Sequence, residues 1–133
     1  MELVRLRPLL ERSRVLLVDD DEGVLAVLSR WISELDCDVV CAFDAEEALE
    51  LIAQYEFDVA LCDVLMPGYN GLWLAEQIAE RSPKTAVAFI TGLTELDGRA
   101  TLRTGVIGYL TKPVGFLDLK EAVERALSGK AAA

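Results

Sequence analysis

The stretch Phe57-Asp58-Val59-Ala60-Leu61-Cys62-Asp63, continued by Val64-Leu65-Met66-Pro67-Gly68-Tyr69-Asn70-Gly71, decides how this chain folds. Its first half is an apolar run that reads as a strand ending on an acid. Its second half breaks the pattern at Met-Pro-Gly and reads as a loop. A twin lies upstream. Val15-Leu16-Leu17-Val18 is a short continuous apolar run, as expected of a strand covered on both faces, and it ends in Asp19-Asp20-Asp21-Glu22. Carboxylates at that point suit the start of a helix, where backbone N–H groups are free.

The same alternation continues in both directions. Val24, Leu28, Trp31, Ile32 and Leu35 recur at helical spacing. Asp38–Phe43 reads as a strand, and Asp44-Ala45-Glu46-Glu47 has capping-box spacing ahead of a helix faced by Ala48, Leu51, Ile52 and Tyr55. Leu72, Ala75, Ile78 and Ala79 mark another helix that stops near Ser82-Pro83. Thr85–Ile90 is a fourth strand ending at Thr91-Gly92. Thr94–Thr104 is a weak helix, since Gly98 inside it costs about 1 kcal/mol relative to Ala. Val106–Leu110 is a fifth strand ending at Thr111-Lys112-Pro113, and a last helix spans about Phe116 to Leu127 with Leu119, Val123 and Ala126 inward. Five βα units in succession predict an α/β three-layer sandwich, with a parallel five-stranded sheet in the flavodoxin-like order 2-1-3-4-5. Residues 14–128 form this domain; residues 1–13 read as an extension or linker, and 129–133 as a tail or junction to an output domain.

Bulk properties bound the function. At 133 residues the chain is the size of one domain. A net charge of −10 repels phosphate backbones, so direct nucleic-acid binding is not expected. No apolar run approaches the roughly 20 residues of a membrane span, and the start MELVRLRPLLERSR lacks secretory features, which points to the cytoplasm. There is no histidine, so histidine-dependent nucleophilic catalysis and histidine metal ligation are excluded. Cys37, Cys41 and Cys62 are too few for a tetrahedral zinc site without histidine, and read as small buried hydrophobes.

In an open parallel sheet, functional groups gather at the carboxyl ends of the strands. Those ends carry Asp19 and Asp20, then Asp63, Thr91 and Lys112. Three carboxylates at one rim cannot all stay ionised without compensation. Lys112 supplies one positive charge, and a hard divalent cation would supply the rest. A carboxylate nucleophile beside a cation and an ammonium is suited to receiving a phosphoryl group, with Thr91 as a hydrogen-bond partner for it.

The stretches VLLVDDDE, DVALCDVLMPGYNGL, FITG and GYLTKP together resemble response-regulator receiver domains of two-component signalling systems, of the chemotaxis-regulator-like kind, over residues 14–128. The resemblance implies that Asp63 is the phosphoacceptor, fed by a histidine kinase or histidine phosphotransfer protein. It implies Mg²⁺, with Mn²⁺ as an alternative, held by Asp20, Asp63 and the Leu65 carbonyl, and by Asp19 through water. Lys112 would pair with the phosphoryl group, the Lys112–Pro113 bond would be cis, and Thr91 with Tyr109 would form the switch pair. It implies a signalling switch with only limited self-phosphorylation and self-dephosphorylation, passing its state to an output domain or protein. Dimerisation stays open.

Each of these residues also has a plainer reading. Asp19 and Asp20 suit helix caps, Asp63 a loop start, Thr91 a turn, Lys112 a solvated surface and Tyr109 an ordinary strand aromatic. Two other functions compete. One is an aspartyl-phosphate phosphohydrolase resembling the haloacid-dehalogenase enzymes, although Asp19-Asp20-Asp21-Glu22-Gly23 lacks the threonine of their motif. The other is a docking module that is never phosphorylated. Leu65 and Leu93, two residues beyond Asp63 and Thr91, are apolar where many receiver domains are polar, and would shield the phosphoryl group from water. The 21-residue span from Thr91 to Lys112 is one shorter than is usual in the family, which together with Gly98 suggests a short or frayed helix there.

Overall fold

The computed structural model describes residues 12–92 and 106–132, with side chains to residue 129. The chain alternates β1 (Ser13–Val18), α1 (Glu22–Ser33), β2 (Cys37–Ala42), α2 (Ala45–Gln54), β3 (Val59–Asp63), α3 (Gly71–Arg81) and β4 (Ala86–Thr91), then β5 (Val106–Thr111) and α4 (Phe116–Ala132). All strand pairings are parallel and the order is β2-β1-β3-β4-β5, as the sequence predicts. The weak helix expected over Thr94–Thr104, and Leu93 with it, lies outside the described residues.

Strand alternation builds two cores. Leu16, Val18, Ala60, Cys62, Val87 and Phe89 face α2 and α3. Val15, Leu17, Val59, Leu61, Ala88, Ile90 and Leu110 face the other way, toward α1 and α4. All four of Val15–Val18 are fully buried, which is why the strand is apolar there and carries its polar Ser13 and Arg14 at its half-buried start.

The helices differ from the sequence reading in detail. In α1 the buried residues are Leu25, Leu28 and Ile32, while Val24 and Trp31 sit half-buried at its margin and Leu35 lies half-buried past its end. Tyr55 does not line α2. It caps the helix end and stays exposed, edge-on to Phe57 with the Arg14 guanidinium 5.2 Å above its ring. Leu74, fully buried, anchors α3, and Leu72 and Ala79 only flank it. Helix α4 continues past Leu127 to Ala132, its inward residues being the expected Leu119, Val123 and Ala126. Asp44 caps α2 by accepting from the Glu47 N–H at 2.7 Å, but Glu47 reaches back to the Phe43 N–H, one residue beyond the usual capping-box partner. Cys37 and Cys62 are buried as expected; Cys41 is only half-buried, because β2 is an edge strand.

Two leucines of α4 test this arrangement. Leu119 is fully buried and Leu117 is 72% exposed. Leu119→Ala is expected to lower unfolding free energy by about 2–5 kcal/mol, and Leu117→Ala by under about 0.5 kcal/mol, in urea titrations.

Candidate functional site

Register brings the acidic residues together. Val18 pairs with Cys62 and Asp63 with Ile90, so the β1, β3 and β4 ends emerge side by side. The β5 end is tied in by the Lys112 N–H, which donates to the Thr91 carbonyl at 2.8 Å. Lys112–Pro113 is cis, as expected.

Helix capping explains why two acids are released for other work. Asp21 is the N-cap of α1, accepting from the Gly23 and Val24 N–H groups at 2.8 and 3.3 Å. The plain reading of Asp19 and Asp20 as caps therefore fails. Asp19 is fully buried, with Oδ1 accepting from the Asp21 N–H at 2.9 Å, while Asp20 is exposed on the rim. Asp63 is 4% exposed, and its Oδ1 accepts from the Leu65 N–H at 3.3 Å.

The Lys112 ammonium bridges the two buried acids. Its Nζ donates to Asp63 Oδ2 at 3.2 Å and lies 2.9 Å from Asp19 Oδ2. The approach to Asp19 is an ion pair without hydrogen-bond alignment, so Asp19 Oδ2 is a buried oxygen lacking a hydrogen-bond donor among the described residues. Burial, and next the charge of Asp19, push the Asp63 carboxyl above its ordinary value; Lys112 and the Leu65 N–H pull against this without cancelling it. Burial works against the Lys112 ammonium, but its pairing with the Asp19 and Asp63 carboxylates prevails and raises it. Next to Asp63, burial pushes the Cys62 thiol up to about 12, so it is a packing group and not a competing nucleophile.

One carboxylate oxygen from each of Asp19, Asp20 and Asp63 lies within 4.8 Å of the others. An all-oxygen set in which two buried carboxylates share one ammonium fits a hard divalent cation such as Mg²⁺. Thr91 is fully buried at the β4 end, and Tyr109, two residues before Thr111 on β5, is 53% exposed and directed outward. Leu65 is 59% exposed, two residues after Asp63. The five strand-end residues named from sequence thus meet at one rim, with Leu65 and Tyr109 adjoining it.

The profile of the response regulator receiver domain matches residues 15–124. The chain belongs to this family. Among curated relatives, this receiver domain is 36% identical to the response regulator protein PilR of Pseudomonas aeruginosa over 119 residues, covering 89% of this chain and 27% of that protein. It is 38% identical to the Regulator of RpoS of Escherichia coli over 112 residues, covering 83% and 33%. The receiver domain thus spans about a quarter to a third of these relatives' length. Its fold superimposes on a CheY-like receiver domain from Methanospirillum hungatei with a TM-score of 0.86 at 28% identity, covering 92% of this chain and 98% of that one. For the Thermotoga maritima response regulator TrrA, solved in complex with Mg(2+)-BeF, the TM-score is 0.78 at 25% identity, covering 86% and 98%. No helix among the described residues is long and apolar enough to cross a membrane.

The raised Asp63 value fixes a sign. The folded chain holds this proton more tightly than the unfolded chain, so protonation stabilises the fold at low pH. That contribution is lost as pH rises from about 4 through the folded value. In metal-free buffer Asp63→Asn is therefore expected to gain stability relative to wild type as pH rises through that window. Thermal melts of both proteins across the acidic range check it; a constant difference would contradict the upward shift assigned to Asp63.

Proposed function

We propose that this receiver domain is a phosphorylation-dependent switch in which Asp63 accepts a phosphoryl group from a phosphohistidine of a partner kinase or phosphotransfer protein in the cytoplasm. The observation that carries this reading is the Lys112 ammonium spanning Asp19 and Asp63, 2.9 and 3.2 Å from their oxygens. An acid needed only for a cap or loop would not be buried against a second acid and a lysine. In the transfer, the phosphorus–nitrogen bond of the donor breaks, a bond to an Asp63 carboxylate oxygen forms, and the imidazole nitrogen takes up a proton. Asp20 and Asp63, with the Leu65 carbonyl and with Asp19 through water, are the groups to hold Mg²⁺ or Mn²⁺. Bound there, the ion would neutralise charge building on the phosphoryl oxygens.

Lys112 swings its ammonium from the two acids onto a phosphoryl oxygen, and Thr91 offers its hydroxyl to another. As Thr91 is drawn toward the phosphoryl group, Tyr109 turns inward behind it. This shifts the population between two conformations that a partner or an attached output domain can read. Dimerisation is one form that output could take. The acidic surface makes direct nucleic-acid contact by this domain unfavourable. The domain is a switch and not a turnover enzyme, its chemistry limited to gaining and losing its own phosphoryl group.

Intact-mass measurement after treatment with acetyl phosphate and Mg²⁺ tests the reading. Wild type is expected to gain one phosphoryl mass and Asp63→Ala none. No gain by wild type would favour a docking module, and steady release of phosphate from small esters a phosphohydrolase. Leu65 adds a second expectation: Leu65→Asn and Leu93→Glu should shorten the lifetime of the phosphorylated mass, and unchanged decay in both would remove any shielding role.

A further inference from the structure

Asp63 is followed at once by a backbone clamp. The Val64 N–H donates to the Ile90 carbonyl of β4 at 3.1 Å, and the Val64 carbonyl accepts from the Gly71 N–H at 2.9 Å. Between these points the loop turns at Gly68, whose φ of 78° suits a residue without a β-carbon. Asn70 then starts α3 by accepting from the Trp73 N–H at 2.9 Å. The stack of Tyr69 on Trp73, with centroids 4.0 Å apart and planes 19° apart, closes the loop outside. Gly71 is buried, and a β-carbon placed on it would lie 2.2 Å from the Asp63 carbonyl oxygen and 2.9 Å from the Val64 α-carbon. Both of those atoms are backbone, so nothing flexible can yield.

We propose that Gly71 is a positioning residue for the phosphoacceptor: by letting the first turn of α3 press on the Asp63–Val64 backbone, it fixes where the Asp63 carboxylate stands relative to Lys112 and the acidic pair. The proposal builds on the phosphotransfer reading of Asp63. Its physical content is that a side chain at 71 must push the Asp63 carbonyl or lift α3. Either movement disturbs the Leu65 N–H, which donates to Asp63 Oδ1. The carboxylate then loses both its orientation and its distance to Lys112 Nζ. In-line transfer is sensitive to such displacement, since misplacement by an ångström can cost about a hundredfold.

Gly71→Ala is the direct test, with Leu74→Ala as its control. Leu74 is fully buried in the same helix but takes no part in the clamp, so its truncation destabilises the fold without displacing Asp63. At saturating Mg²⁺ and acetyl phosphate, Gly71→Ala is expected to slow labelling about tenfold or more, and Leu74→Ala less than about twofold. In NMR spectra, the Leu65 amide signal should move in Gly71→Ala and hold in Leu74→Ala, a difference that mere loss of stability would not produce. Equal rates in the two variants, or an unmoved Leu65 signal in Gly71→Ala, would overturn the proposal. Failure of wild type to be labelled would instead strike the phosphotransfer reading, and the amide signal would still decide the positioning role.

Discussion

Two buried carboxylates and one ammonium set the terms for the rest of this molecule. Asp19 and Asp63 end neighbouring parallel strands, where the sheet offers no water to spread their charge. Lys112 can reach both only because β5 closes the far side of β4 and its first residue after the strand is tied to Thr91. The compensation is incomplete: Asp63 is still held above its ordinary value, and Asp19 keeps an oxygen without a donor. An incompletely neutralised acidic pocket is electrostatically suited to a divalent cation, which is the basis of the phosphotransfer proposal.

The fold was legible because each strand carries its own boundary signal. Val15–Val18 is apolar throughout since both faces are covered, and the acid after it marks the rim. Helix faces were read less well. The period placed Val24 and Trp31 in the α1 stripe and passed over Leu25, because a sequence period fixes a stripe's centre only to within one residue while packing chooses its edges. Tyr55 continues the helical spacing of Ala48, Leu51 and Ile52, yet the helix ends at Gln54, and an aromatic with a cation above it and a ring beside it is content at the surface. Helix α4 runs to Ala132, beyond the last inward apolar position that the sequence period marks.

The gathering of the candidate site is legible residue by residue, since Asp19, Asp20, Asp63, Thr91 and Lys112 each stand at a strand's carboxyl end and meet at one rim. What sequence could not supply was the division of labour among the acids. Asp21 takes the cap, which leaves Asp19 buried beneath the ion pair and Asp20 on the rim. Nor did the sequence mark Gly71 as more than a loop glycine. Its role comes from the approach of α3 to the Asp63 backbone, a tertiary contact with no local signature beyond the neighbouring Asn70 cap.

The account stands on one geometry, in which a single phosphoryl-like group can touch Asp63, Lys112 and a cation held by the acidic pair at once. A crystal structure of this domain with beryllofluoride and Mg²⁺ measures that directly. Beryllium bonded to an Asp63 oxygen, a fluoride within hydrogen-bond reach of Lys112 Nζ, and the ion on Asp20 and Asp63 is the predicted result. Beryllofluoride on another residue, or an ion bound away from these acids with Lys112 still clasping Asp19 and Asp63, would contradict it.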